Sequence, residues 1–146
     1  MWRRLSSGLR PGRQLRRVRH LRRRHQRGRH VYVDVTDDQA LEVAREAYTN
    51  FDLNFRTRPG RILEGPSRRG DFDTAIGWGG IYAGSPESVR AQIQSFLDDT
   101  GINYFVATLA FGSLTTEQVL RSVRLFTQEV MPALHCAEVS GVQPTT

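Results

Sequence analysis

Residues 80–112 read GIYAGSPESVRAQIQSFLDDTGINYFVATLAFG, and this stretch decides the fold class. The short apolar segment 80–83 is followed by Ser85, which can cap a helix, and by Pro86, which suits the first helical position. Residues 102–111 are nearly all apolar, which is typical of a strand buried on both faces of a parallel sheet. The stretch therefore predicts a strand, a helix and a second strand.

The same alternation of strands and helices extends on both sides of this stretch. Valines alternate with polar residues over 31–35, which predicts a short strand. Capping-box patterns at Thr36 and Thr115 predict the starts of two helices. The first helix should have about four turns, and Pro132 should end or kink the second. The other predictions are a loop over 56–70, a short helix or turn over 71–78 and a frayed tail over 139–146. Short connections of this kind predict an α/β protein whose strands 80–83 and 102–111 are parallel neighbours.

The basic residues are concentrated at the start of the chain. Residues 1–30 contain twelve arginines and no acidic residue, whereas residues 31–146 contain nine arginines and all fifteen acidic residues. The first segment therefore has a charge of +12 and the second a charge of −6. Because residues 1–30 contain few apolar side chains, we expect them to be disordered and residues 31–146 to form the domain.

Four interpretations of residues 1–30 are open. The arginines could form a nucleic-acid-binding arm, but no aromatic residues are interleaved for base stacking. A transit peptide would contain more serine, and a membrane-surface segment would have an amphipathic stripe. The composition favours the fourth interpretation, in which the stretch is not native to the domain and is translated from a misplaced start codon or reading frame. Nucleic acid is then not expected as a partner.

Several site types are not expected from the sequence. Cys136 is the single cysteine, so an internal disulfide is excluded and a reducing, cytoplasmic location is expected. The sequence contains no run of 18 apolar residues, so no membrane span is predicted. The histidines His20, His25 and His30 do not share a helix face, so no metal site is predicted. No nucleophile–base pair is present, and no catalytic residue is predicted.

Short motifs in a fixed order give the chain a family resemblance. They are AGSPESV at residues 83–89, TGINY at residues 100–104, FG at residues 111–112, LRSV at residues 120–123 and EVMPAL at residues 129–134. This ordered set resembles the C-terminal part of the luciferase-like, flavin-dependent monooxygenases. The resemblance covers about 115 residues and is strongest over 81–134.

The resemblance implies a (β/α)8 TIM barrel in which residues 80–83 form the seventh strand and residues 102–109 the eighth. Residues 31–79 would then be the variable region before the seventh strand. Such a barrel needs about 250 residues. We therefore expect a C-terminal fragment of the barrel, about its last two strand–helix units, which is inactive as an isolated chain.

The resemblance also implies a cofactor, FMN or the deazaflavin F420, and oxidation of a small organic substrate. Active sites of such barrels lie at the carboxyl ends of the strands. The predicted cofactor-binding residues are therefore Gly84, Ser85, Phe111 and Gly112. Two alternatives are that Ser85 only caps its helix and that Phe111 only packs in the core. An exposed barrel edge would also allow a homo-oligomer to form.

Overall fold

The computed structural model describes residues 28–57, 59–60, 70–102 and 104–135. Disorder was predicted for residues 1–30, and residues 1–27 of that segment lie outside the described ranges. Most of the predicted 56–70 loop and the predicted tail also lie outside it. Within the described ranges the chain alternates strands with helices, as the sequence predicts.

Three parallel strands form one sheet. They are β1 (Arg29–Val33), β2 (Ile81–Gly84) and β3 (Ala107–Thr108). β1 is central and the order is β2-β1-β3, with Val33 opposite Gly84 and Arg29 opposite Ala107. The predicted α/β class with a parallel sheet is confirmed. The strand β1 begins two residues before the predicted boundary at residue 31, and Val35, which was predicted to belong to it, is exposed.

The prediction that segments 80–83 and 102–111 pair directly was wrong, because β1 lies between them. The second segment also contributes only the two residues of β3 to the sheet. The side chains of Tyr104 and Val106 are 71% and 40% exposed, whereas Phe105 between them is partly buried. This segment therefore has one packed side and one open side, and its uniformly apolar composition concealed that alternation.

Predicted capping residues begin the helices where the sequence places them. The helices are α1 (Asp37–Arg56), α2 (Phe72–Gly77), α3 (Pro86–Thr100) and α4 (Thr116–Leu125), and α4 continues into a π-helical turn (Phe126–Val130) and a 3-10 turn (Met131–Ala133). Thr36, Ser85 and Thr115 each accept a hydrogen bond from a backbone N–H of their own helix. Gly101 ends α3 in the left-handed region, with φ of 63°. The helix α1 has 20 residues and is longer than predicted.

Helices cover both faces of the sheet. Tyr32 and Ile81 point to one side, where they pack in a cluster with α1 and α2. Val31, Val33 and Tyr82 point to the other side and pack with α3 and the last helical segment. This three-layer arrangement follows from the alternation of side chains along a strand. Over the described ranges the sheet is open and does not close into a barrel.

Candidate functional site

The carboxyl ends of β1 and β2 lie side by side, at Val33 and Gly84. From β1 the chain passes through α1 to β2 on one side, and from β2 it passes through α3 to β3 on the other side of β1. A reversal of this kind leaves a crevice at the carboxyl ends of the two strands that flank it, and open α/β proteins bind ligands there. A ligand site is therefore expected at the end of β1.

Ser122 of α4 closes the end of β1 on the β3 side. Because β3 ends at Thr108, no strand residue accepts the N–H of Val33. This N–H donates instead to Ser122 Oγ at 2.9 Å, and the Ser122 side chain is fully buried. The contact brings α4, with the neighbouring Arg121, to the carboxyl edge of the sheet.

Asp34 follows β1 directly and is a buried carboxylate, with only 3% of the residue exposed. Its Oδ1 accepts a hydrogen bond from the N–H of Val35 at 2.8 Å, and its Oδ2 accepts one from the Tyr32 hydroxyl at 3.1 Å. Arg121 Nη1 lies 3.5 Å from Oδ1. A buried carboxylate needs such compensation because its desolvation is costly.

Tyr32 stays protonated beside this carboxylate. Burial of the phenol, followed by the negative charge of Asp34 and the hydrogen bond to it, raises the pKa of Tyr32 to about 12, although Arg121 opposes this increase in part. The Tyr32 hydroxyl therefore acts as a hydrogen-bond donor to Asp34 throughout the physiological pH range.

Arg121 is the part of this group that a ligand can reach. Its side chain is 47% exposed, whereas that of Asp34 is 4% exposed. Both Asp34 oxygens already accept hydrogen bonds, so Asp34 positions the guanidinium and does not face a ligand itself. A fixed guanidinium with several N–H donors suits an oxyanion such as a phosphate. We refer to Tyr32, Asp34, Arg121 and Ser122 as the carboxyl-edge cluster.

The predicted site residues Gly84 and Ser85 lie on the β2 side of this edge, where Asp37 already supplies a carboxylate. Asp37 Oδ1 accepts the N–H of Ser85 at 2.6 Å, and Oδ2 accepts the Ser88 hydroxyl at 2.9 Å. Ser85 Oγ accepts the N–H of Ser88 at 3.4 Å, so the helix-capping role is present. A Cβ atom added at Gly84 would lie 2.8 Å from Asp37 Oδ1. An external anion would have to displace Asp37 from this position.

Asp37 is stabilised in its charged form. The backbone N–H of Ser85, and after it the Ser88 hydroxyl, lower the pKa of Asp37 below its usual value, while burial acts weakly in the opposite direction. Asp37 belongs to the first turn of α1 and contacts the start of α3. Its charge thus lies near two helix N-termini, where a negative charge is favourable.

The predicted site residues Phe111 and Gly112 lie against α1. Phe111 is 7% exposed and packs against His30 with ring centroids 4.7 Å apart, so it occupies the core position that was the alternative. Gly112 has φ of 59°, and a Cβ atom there would overlap the Ala47 carbonyl oxygen. Asn50 Nδ2 donates to Ser113 Oγ at 3.0 Å and completes this contact.

These four predicted residues do not form one group. Gly84 and Ser85 contact Asp37 in the first turn of α1, whereas Gly112 contacts Ala47, ten residues later. Ten helical residues span about 15 Å. The structure therefore brings together the members of each pair but keeps the two pairs apart.

Sequence analysis did not single out the carboxyl-edge cluster. A carboxylate directly after an apolar strand was a readable signal for Asp34, since strand ends form the ligand-binding edge of parallel sheets. No comparable signal existed for Ser122, which meets Val33 across 89 residues of sequence. Arg121 and Ser122 belong to the LRSV motif at residues 120–123, but no site role was predicted for either.

Other site types have less support over the described ranges. An open cavity of about 360 Å³ lies beside the second half of α1, away from the carboxyl-edge cluster, and is lined by Tyr48, Thr49, Asp52, Arg56, Gly70, Asp71 and Phe72. No group of three or more His, Cys, Asp or Glu side chains in the described part could hold a metal ion. None of its helices has the length and apolar character needed to span a bilayer.

Comparisons with known proteins add no assignment to this geometry. No protein-family model matches the chain, and no curated protein matches it. Membership of the luciferase-like family therefore stays a prediction.

Proposed function

We propose that this chain is part of a flavin-dependent oxidoreductase of the luciferase-like type, which holds FMN or F420 at the carboxyl edge of its sheet and oxidises a small organic substrate. The observation that supports a flavin site at this edge most is the strand order β2-β1-β3, with Asp34 and Arg121 at the reversal between β1 and β3. Sheets with this order bind FMN at that reversal in flavodoxin-like proteins. The ordered motifs over 81–134 favour flavin chemistry independently.

The charges at this edge favour one position for the cofactor phosphate. Asp37 places a negative charge at the start of α3, which would repel a phosphate beside Ser85. Arg121 offers a half-exposed positive charge on the other side of β1. We therefore assign the phosphate to Arg121 in place of Ser85.

Each residue of the carboxyl-edge cluster has a defined part in this proposal. When bound, the flavin supplies the electron transfer, and the protein supplies binding and orientation. Arg121 binds the phosphate, and Asp34 holds the guanidinium in place. Tyr32 and Ser122 fix Asp34 and the end of β1 by their hydrogen bonds.

The barrel form of the family has less support than the flavin site. Helices on both faces of the described sheet favour an open arrangement, because the helices of a TIM barrel all lie outside its strands. Over the described residues, β2 and β3 each leave one edge without a strand partner. Further strands, or a second copy of the chain, would pair at these edges.

Nuclear magnetic resonance of the isotope-labelled full chain tests the flavin site, because it detects weak binding. FMN or F420 at up to about 1 mM should shift the amide signals of Asp34, Val35 and Arg121. Substitution Arg121→Gln should weaken FMN binding about tenfold, which corresponds to the loss of one charge-assisted contact. Riboflavin, which lacks the phosphate, should bind wild type and R121Q alike.

The matched control is Arg124→Gln, which removes another exposed arginine of α4. It should leave FMN binding unchanged. Absence of any shift with both cofactors, or equal FMN binding by R121Q and wild type, would contradict the proposal.

A further inference from the structure

Arg29, at the amino end of β1, is a buried cation whose charge has no counter-ion among the described residues. It is 6% exposed, and its guanidinium carbon lies 5.4 Å from the centre of the Trp78 ring and 5.2 Å from that of Phe96. No carboxylate in the described part of the chain forms an ion pair with it. Its Nε is sealed from solvent and has no hydrogen-bond partner. A buried arginine in this state is costly unless an anion joins it.

Tyr82 offers a second donor beside this arginine. The residue is 6% exposed, and burial raises the pKa of its hydroxyl, which therefore stays protonated. Both groups lie against Phe96, whose ring centre is 5.2 Å from the Arg29 guanidinium carbon and 6.4 Å from the centre of the Tyr82 ring. No hydrogen bond joins the Tyr82 hydroxyl to another described residue. It is thus able to donate to a ligand that reaches Arg29.

Two glycines allow the rings of Tyr82 and Trp78 to lie close to the backbone beside these donors. A Cβ atom at Gly79, which has φ of 70°, would lie 3.0 Å from the Tyr82 hydroxyl oxygen. At Gly80 it would overlap the Trp78 ring, so the ring lies directly over the backbone there. Trp78 is 50% exposed and forms the outer wall beside the guanidinium. The group is therefore close to the surface on the Trp78 side.

We propose that Arg29 and Tyr82 bind a carboxylate, with the rings of Trp78 and Phe96 on either side of the guanidinium. A planar guanidinium pairs with a carboxylate in a two-point contact, and the flanking rings strengthen it by excluding water. The same rings provide apolar surface for the body of the ligand. The carboxylate belongs either to a small organic acid or to an acidic side chain of another polypeptide.

This site is independent of the flavin proposal. Arg29 and Asp34 lie at opposite ends of β1, five residues apart, which is about 16 Å along a strand. A negative result for the carboxylate site therefore leaves the flavin proposal unaffected, and a negative result for the flavin site leaves the carboxylate proposal unaffected.

Titration of the labelled full chain with sodium benzoate tests the site. Benzoate should produce a saturable shift of the Arg29 Nε–H signal and of the Trp78 indole signal, and neutral benzamide should bind at least about tenfold more weakly. Arg29→Lys, which cannot make the planar two-point contact, should weaken benzoate binding about tenfold. Tyr82→Phe keeps the ring and should weaken binding several-fold. The matched controls Arg124→Lys and Tyr104→Phe, both at exposed positions, should bind as wild type does.

Two further probes separate the sources of the carboxylate. Tighter binding of a glutamate residue blocked at both ends indicates an acidic side chain, and tighter binding of benzoate indicates a small acid. Equal binding of benzoate and benzamide overturns the proposal, as does tighter binding of inorganic phosphate than of either carboxylate. If R29K fails to fold, as judged by near-ultraviolet circular dichroism, unchanged benzoate binding by Y82F overturns it.

Discussion

Asp34 and Arg121 show how one buried group can set the position of an exposed one. Asp34 has little contact with solvent, yet its charge holds the guanidinium that a ligand would meet. One half of this pair, Asp34, could be recognised in the sequence, because an aspartate directly after an apolar strand indicates a ligand-binding edge. The other half depended on the packing of α4 against β1, which no local pattern reveals.

Gly112 is required by close backbone contact and by its own conformation. Substitution Gly112→Ala should destabilise the protein, because the new Cβ would overlap the Ala47 carbonyl oxygen. Gly101→Ala is the matched control, since Gly101 has a similar φ of 63° and nothing within 4 Å of its Cβ position. The control should cost about 1 kcal/mol from backbone strain alone, and G112A about 1–3 kcal/mol more.

Urea unfolding followed by circular dichroism measures this difference. Equal destabilisation by G112A and G101A would show that residues 111–113 do not pack on α1 as described.

The start of α3 is held by a carboxylate from another helix. Sequence patterns predicted the caps of all the long helices, because each cap is a local contact over three residues. They did not predict that Asp37 of α1 also binds Ser85, since this contact spans 48 residues. For the same reason the prediction of Ser85 as a cofactor-binding residue did not allow for the Asp37 carboxylate that Ser85 contacts.

Asp37 should stabilise the fold in a pH-dependent way. Its folded pKa lies below the usual value of 3.8, so its contribution is fully present above that pH and is lost as the pH falls through the folded pKa. Asp37→Asn should therefore lower the free energy of unfolding near pH 6 by a few tenths to about 1 kcal/mol, as expected for an exposed charge near a helix N-terminus. The deficit relative to wild type should be smaller at a second pH, below 3.8.

Urea unfolding at the two pH values checks this expectation, with Asp38→Asn as the control. Asp38 is exposed in the same first turn, and no hydrogen bond or ion pair joins it to α3 in the described structure. A deficit of D37N that is equal at both pH values, or equal to that of D38N, would argue against the contact with Ser85 and Ser88.

Some features of the whole fold can be predicted from local sequence patterns, and others cannot. The α/β class and the parallel direction were predicted, because strand–helix spacing and apolar runs are local features. The predicted strand order was wrong, because the order depends on which face each helix covers, and strands of either order would look alike in sequence. The family resemblance implied consecutive barrel strands, and here it conflicts with the position of β1 between β2 and β3.

The position of β1 determines where both proposed sites lie, so nuclear Overhauser contacts between backbone protons test it most directly. The structure predicts contacts of His30 with Ile81 and of Arg29 with Ala107, and none between β2 and β3. Direct contacts between residues 81–84 and residues 107–108, with β1 elsewhere, would contradict this strand order. They would instead support the consecutive strands of a barrel.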